Sequence, residues 1–400
     1  MRHAPKKSVR GFTLIEMMVS LALGLLVVGA AVKLFSLAVD STWVISQRAE
    51  MQQDLRASSD LLMKDISLAG AGPQLTGGTG IALASAVAPV IGCNQAGQCA
   101  PTGAINYPCS SLVGPCTNTL YPIMPGFTRG ITPPGSPQAT DVVTVVYTDP
   151  VLALSCYSVT FPAPAGSAKN PVTFTAPNLP LPATCVLPTG VVYPQALTNN
   201  VVGLVPGDVI LFTQGTSEAV AEVSNVVGPN GAAAPGTTYA VTFSNGDPLN
   251  LNQNGVANDL SALEKGAGTT AERIYVVSYY LRNLPDPTGF GTGTPTLMRQ
   301  VNGQAEVPVQ EDVVNLQFTY DTYNSDGTLL NNIGDAGYAV SGGGAFSLIR
   351  KINVIHLTTR SELSGTKSSL MAKRGFQTFD YQTSISARNL SYQNRYVLTP

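Results

Sequence analysis

Charge is scarce in this chain: Asp, Glu, Lys and Arg make up 12% of its 400 residues, about half the usual share. Histidine is scarcer, two in all. Only His356 lies beyond the first eleven residues, in the middle of a strand-like run, where a packed imidazole is the plainer reading than a general base. No Gly-x-Ser-x-Gly elbow and no cluster of metal ligands occurs, so the chain is expected to be no enzyme and to carry no metal or cofactor. The six cysteines form no Cys-x-x-Cys pair and have no histidine nearby, which excludes the usual zinc spacings. No period of 20–50 residues recurs, which excludes a solenoid or propeller.

Long apolar sequence, by contrast, is present at the start. Val9 to Val19 reads Val-Arg-Gly-Phe-Thr-Leu-Ile-Glu-Met-Met-Val: a basic stretch ending in Gly11, then an apolar run with Glu16 at its fifth position. An ionised Glu costs a few kcal/mol at the centre of a bilayer, so Glu16 asks for a partner. From Phe12 to Val39 the chain is mostly Leu, Val, Ala, Met and Gly, long enough as a helix to cross the roughly 30 Å hydrocarbon core. Lys33 lies near the far side, where its ammonium can snorkel. The basic leader keeps the N-terminus cytoplasmic by the positive-inside rule. A simple cleaved signal peptide would not carry Glu16, nor be followed by what comes next.

Beyond the apolar run the pattern becomes one-sided. Val44, Arg48, Met51, Leu55, Leu62, Ile66 and Ala69 recur at helical spacing, with Ser46, Gln53, Asp60 and Lys64 opposite and Asp60–Lys64 placed as an i,i+4 pair. A soluble coiled coil over 44–69 would need a longer heptad register. The helix should end at Gly70-Ala71-Gly72-Pro73.

These residues resemble the N-terminus of type IV prepilins: a basic leader, Gly, Phe, Thr-Leu-Ile-Glu, then a hydrophobic helix. The resemblance implies cleavage by a prepilin peptidase between Gly11 and Phe12, N-methylation of Phe12, and pairing of Glu16 with a neighbouring subunit's amino group, which sets register. It also implies residence in the inner membrane with the C-terminal domain in the periplasm, then assembly with other minor pilins and the major pilin into a pilus on the cell surface.

Residues 71–205 carry only Arg129, Asp141, Asp149 and Lys169 as charges, together with all six cysteines. Six cysteines allow fifteen connectivities. In an exported segment disulfides are expected, and sequential pairing, Cys93–Cys99, Cys109–Cys116 and Cys156–Cys185, closes short loops through Gly- and Pro-rich sequence. The segment reads as a loop-rich insertion. Strand signals then dominate: Asp141–Tyr147, Pro206–Phe212, Ala219–Val227, Tyr239–Phe243, Arg273–Arg282, Thr296–Arg299, Val313–Asp321 and Lys351–Leu357.

The later strands resemble the PilW-type minor pilins, which pair a Tyr-Tyr-Leu-Arg strand (here ending at Arg282) and a Leu-x-Arg strand (ending at Arg299) with an acidic Val-x-Asn-Leu-Gln-Phe-x-Tyr strand. The helix segment from Gln53 through Asp65 to Gly70 and the Arg388-Asn389 pair fit as well. The expected fold is therefore α+β: a leader over 1–11, a long helix over 12–70 that is transmembrane over about 12–39, the Cys-rich segment over 71–205, and a β-rich domain over 206–400. The implied function is a minor pilin that helps prime and assemble a type IV pilus. The alternatives are a minor pseudopilin of type II secretion and a pilus-tip adhesin or DNA-uptake subunit.

Two local features stay open. Asp321-Thr-Tyr-Asn-Ser-Asp-Gly327 spaces oxygens around a turn but lacks the closing Glu of a calcium loop, so a polar hairpin is expected; the Gly-rich run 289–293 is a loop, not a phosphate cradle. The chain is formally −2, yet residues 350–400 hold eight basic and two acidic residues against an acidic remainder. That basic segment can be a solvated surface, a complementary subunit interface, or a contact to DNA phosphates.

Overall fold

A computed structural model of the chain describes residues 11–72, 80–83, 119–133, 136–162, 170–178, 180–181, 185, 194–231, 233–252, 260, 263, 268–285, 293–323, 328–334, 346–361 and 377–391. Two compact units are distinguished, one holding 1–53 and 361–377 and the other 54–360 and 378–400. The fold is α+β, with one long apolar N-terminal helix and a β-rich remainder.

Helix α1 runs Leu14–Leu68, 55 residues, or roughly 80 Å at the α-helical rise. Its first half is exposed and mostly apolar, and it is the one helix among the described residues long and apolar enough to cross a membrane. In the second half Met51, Leu55, Leu62, Ile66 and Ala69 are buried and Ser46, Gln53, Asp60 and Lys64 exposed, as the periodicity predicts, but at the start of the stripe Val44 is only half-buried and Arg48 is exposed. Asp60 and Lys64 are not joined by an ion pair; two solvated side chains gain little from one. The helix stops where Gly70 takes a left-handed φ of 72°. Gly72 follows at φ 119°, and a Cβ there would come within 2.3 Å of the Thr148 side chain.

The strands follow in chain order: β1 (Ile81–Ala82), β2 (Thr119–Leu120), β3 (Ile123–Gly126), β4 (Val142–Thr148), β5 (Ser158–Thr160) and β6 (Val172–Thr175). Next come β7 (Val209–Gln214), β8 (Ser217–Glu222), β9 (Asn225–Val227), β10 (Thr238–Thr242), β11 (Thr270–Leu284) and β12 (Thr294–Val301). The last are β13 (Val307–Gln310), β14 (Val313–Tyr323), β15 (Leu329–Ile333), β16 (Ile349–Ser361) and β17 (Gln377–Ser386), then a short helix α2 (Arg388–Ser391) that contains the Arg388-Asn389 pair.

The main sheet has the order β13-β12-β11-β4-β3, with β7 and then β8 joined to β11. Strand β11 is the spine. Ile274 pairs with both Thr148 of β4 and Val209 of β7, and Val277 pairs with both Val145 of β4 and Val301 of β12. Strands β7 and β12 therefore follow one another along the same edge of β11, with β4 along the other. Strands β3 and β4 come from the segment expected to be a loop-rich insertion, so that segment is not peripheral. The near-continuous apolar run of β4 is buried on both faces and sits inside the sheet.

Residues 273, 275, 277, 279 and 281 of β11 share one face by the period of two. Val277, Tyr279 and Leu281 meet Leu55, Leu62 and Ile66 of α1 and Leu316, Phe318 and Ile352 of the four-stranded sheet β15-β14-β16-β17 in one core. A second core gathers Phe161, Phe174, Phe212 and Tyr239 around the sheet β5-β6-β10-β9. The Cys156–Cys185 disulfide closes the chain against that second core. Cys93, Cys99, Cys109 and Cys116 lie outside the described residues. Asp141 ties the main sheet to β14: its Oδ1 accepts the Thr128 amide at 2.8 Å and its Oδ2 the Phe318 amide at 2.9 Å.

Candidate assembly site

The start of α1 carries a reciprocal cap. Thr13 precedes the first helical residue, and its backbone N–H and hydroxyl both donate to Oε2 of Glu16 at 3.0 Å, while the Glu16 amide donates back to the Thr13 hydroxyl at 3.3 Å. This is a capping box, in which the Ncap Thr and the N3 Glu satisfy one another's orphan groups. Glu16 thus has a role inside its own chain that the N-terminal pattern by itself does not assign. Its Oε1 makes no hydrogen bond among the described residues and remains able to take a donor from outside. Phe12 is 84% exposed. A Cβ at Gly11 would meet nothing within 4 Å, so the fold itself places no demand for glycine there. Any such demand comes from whatever reads the chain.

Farther along α1 a second polar node fixes the helix to the sheet. Asp65 falls inside the buried stripe between Leu62 and Ile66 and is 3% exposed. Its Oδ2 accepts Nε of Arg299 at 2.7 Å and the Tyr279 hydroxyl at 2.6 Å, and its Oδ1 accepts the Tyr147 hydroxyl at 3.0 Å. The three donors come from β12, β11 and β4, and Tyr279 and Arg299 are direct cross-strand neighbours. Burial and the charge of Asp65 push the Tyr147 and Tyr279 hydroxyls well above the usual phenol range. Burial alone would lower the Arg299 guanidinium, but its hydrogen bond to Asp65 and the carboxylate charge outweigh that and hold it above its ordinary value. Ser58 adds a tie to Gln310 of β13, and the Gly70 amide donates to the Val146 carbonyl at 3.0 Å. The end of α1 and the turn after it, residues 58 to 70, therefore cross the sheet from β13 to β4.

The same face of β11 continues the polar line. The Tyr147 and Tyr275 rings lie 5.6 Å apart, and the Arg273 guanidinium sits 5.7 Å from the Tyr275 ring centre. Arg273 pairs with Asp149, with Asp208 at 3.1 Å, and donates to the Gly203 carbonyl at 2.7 Å. Tyr279 and Tyr275 of this face pack into the core between helix and sheet. The role of Asp65 was missed, although its signal was legible: a carboxylate inside a helical apolar stripe.

The basic segment is partly accounted for inside the chain. Arg350 is buried and donates to the Ser347 and Ile349 carbonyls, and Lys351 pairs with Asp321 at 3.3 Å. Arg350 is thus turned inward, while Lys351 is shared between Asp321 and the surface. Arg388 is exposed; the side chain of Arg360 and residues Lys367, Lys373, Arg374 and Arg395 lie outside the described residues. Asp321 accepts the Asn332 amide and Nδ2 of Asn353, both at 2.9 Å, so its carboxylate serves the β14–β16 core. Residues 324–327 of that turn, and the side chain of His356, are likewise outside the described residues.

Comparison with known protein families finds a match over residues 6–32 to the prokaryotic N-terminal methylation motif. It covers the end of the basic leader, Gly11, Phe12, the capping box and the first turns of the apolar helix, and it supports a pilin-like or pseudopilin-like structural subunit that a prepilin peptidase processes. No curated protein and no solved structure matches the chain.

Proposed function

We propose that this protein is a type IV pilus minor pilin of the PilW type, with a structural rather than catalytic role in priming and assembling the fibre. The observation that carries the proposal is the arrangement at residues 11–16. A Gly without a steric reason precedes an exposed Phe12, and a Glu16 carboxylate caps its own helix through one oxygen while the other is open. Cleavage after Gly11 creates an ammonium on Phe12. Oε1 of Glu16 then accepts the Phe12 ammonium of an adjacent subunit in the low-dielectric setting of packed helices. There a pair specifies register, and removing one partner strands the other charge.

The PilW reading is supported by the helix-to-sheet node. The Tyr-Tyr-Leu-Arg strand and the Leu-x-Arg strand that suggest this family supply Tyr279 and Arg299, and both converge on Asp65 of the helix. Those motifs thus act together, and what they do is hold the last turns of the assembly helix at a set place on the sheet.

Intact mass and N-terminal sequencing of the protein from cells with and without prepilin peptidase test the reading. The expected product begins at N-methylated Phe12 only when the peptidase is present. A chain left whole, or cut near Ala38, overturns it. Co-purification with surface pili rather than with a secretion apparatus separates the pilin role from the pseudopilin role.

A further inference from the structure

A cleft of about 240 Å³ opens where the end of β8 meets the loop that follows β10, and its lining includes Glu222, Ser244, Asn245, Asp247, Asn252 and Gln304. None of these residues takes part in the features described above. Glu222 is 3% exposed, and its two oxygens differ. Oε1 accepts Nε2 of Gln304 at 2.6 Å, whereas Oε2 is buried without a hydrogen-bond partner. The backbone at this point is held firmly. The Glu222 amide donates to Oδ1 of Asn252 at 2.9 Å, and the Glu222 carbonyl accepts Nδ2 of the same side chain at 2.6 Å.

Asp247 lines the same cleft as Glu222, and its charge acts on that carboxylate. It is fixed by the amides of Leu251 and Asn252, which donate to its two oxygens at 2.6 and 2.7 Å. Its own amide is a third donor directed at it, and no side chain donates to it among the described residues. The Leu249 amide is the remaining donor directed at Glu222, and no Lys, Arg or His pairs with either carboxylate among the described residues.

Two neighbouring carboxylates out of water are tolerated only when a proton or a cation neutralises them. A buried polar atom lacking any partner is the usual mark of a water or ion that belongs there. The side-chain donors around the cleft are carboxylate, amide and hydroxyl oxygens, with no sulfur or imidazole, which suits a hard cation. Mg²⁺ demands near-octahedral geometry, but oxygens on an irregular loop suit the looser six- to eight-fold shell of Ca²⁺.

We infer that this cleft binds one Ca²⁺ between Glu222 and Asp247, with Asn245, Ser244 and water completing the shell. The ion ties the end of β8 to the 244–252 loop. Neither Cys and His spacings nor a contiguous calcium loop marks such a site in the sequence, because its ligands are spread between a strand and a loop. The inference is independent of the assembly role proposed above.

Equilibrium dialysis of the full chain in detergent micelles against CaCl₂ tests it. The expected result is one Ca²⁺ per chain, with a Kd of about 10⁻⁴–10⁻³ M as in extracellular modules, weakened roughly tenfold or more by Glu222→Gln. Wild-type protein should also melt at a higher temperature with Ca²⁺ than without, and Glu222→Gln should lose that response. The variant removes a buried charge while keeping the shape of the side chain, so it should fold, which near-UV circular dichroism checks. Asp247→Asn should weaken uptake as well; if it disrupts the loop it anchors, the Glu222→Gln result alone decides. No uptake by wild-type protein, or equal uptake by Glu222→Gln, overturns the inference.

Discussion

Asp65 of the long helix and Arg299 of β12 are joined by a 2.7 Å hydrogen bond between carboxylate and guanidinium Nε, across 234 residues of sequence. With Tyr279 and Tyr147 on the same carboxylate, one helix residue is held by three strands. Asp65→Ala should therefore destabilise the body by about 3 kcal/mol, because it leaves a largely buried guanidinium and two hydroxyls without their acceptor. Urea unfolding of the full chain would measure this, and Arg299→Ala added to Asp65→Ala should cost less than the sum of the two single changes.

The cap at Thr13 and Glu16 separates two roles of one carboxylate. Gln can close a capping box as Glu does, but it carries no charge for a neighbour's ammonium. Glu16→Gln should leave peptidase processing and helix content unchanged while blocking co-purification with partner pilins. Thr13→Ala removes the cap at a cost of about 1 kcal/mol yet keeps the charge, and should still co-assemble. Normal assembly of Glu16→Gln would show that the charge has no part in it.

Glu222 should make stability depend on pH in the direction opposite to most carboxylates. Burial, then the Asp247 charge, raises its pKa from 4.5 to about 8. Between those values the folded chain holds a proton that the unfolded chain has lost, so stability falls as pH rises through the window and is greatest at its acid end. Melting temperatures in calcium-free buffer should thus decline from pH 5 toward pH 8, and Glu222→Gln should flatten the decline. Some slope should persist, since burial also raises Asp247, Glu218 and Glu272.

The Cys156–Cys185 disulfide closes a loop with a sequence separation of 29 residues beside the second core. Loop-closure entropy gives it roughly 3–4 kcal/mol. Replacing both cysteines by serine should lower stability by that order in urea unfolding. Loss should concentrate in the β5-β6-β10-β9 lobe, where amide hydrogen exchange should accelerate before it does in β4 and β11.

Much of this was readable from local pattern. The span of α1 and its buried stripe follow from a period of 3.6, and Gly70 marks its end. The strand around Val142–Thr148 reads as buried because it has no polar alternation. What local pattern does not carry is pairing. That β7 and β12 share one edge of β11 depends on registers between distant segments, which no window contains. Charges misled for the same reason: Lys351 counts as surface in composition, yet it meets Asp321 only after β14 and β16 pair. Asp65 was recognisable as a polar residue in an apolar stripe, but its partners lie 82, 214 and 234 residues later.

In the proposed pilin role the body crosses the membrane, and those separations then have a consequence for how the chain emerges. A polypeptide threaded from its N-terminus presents Asp65 first, then β4, and only much later the strand that closes the middle of the sheet. Until β11 has crossed, β4 has β3 on one side and an open edge on the other. Closing such long loops is slow compared with forming hairpins. The nascent body therefore spends an interval as separate hairpins beside an anchored helix, and the arrival of residues 270–299 converts them into one folded unit. A chain truncated before Thr270 would carry the apolar helix and the methylation motif yet hold no finished body, and added protease should degrade it faster than the full chain.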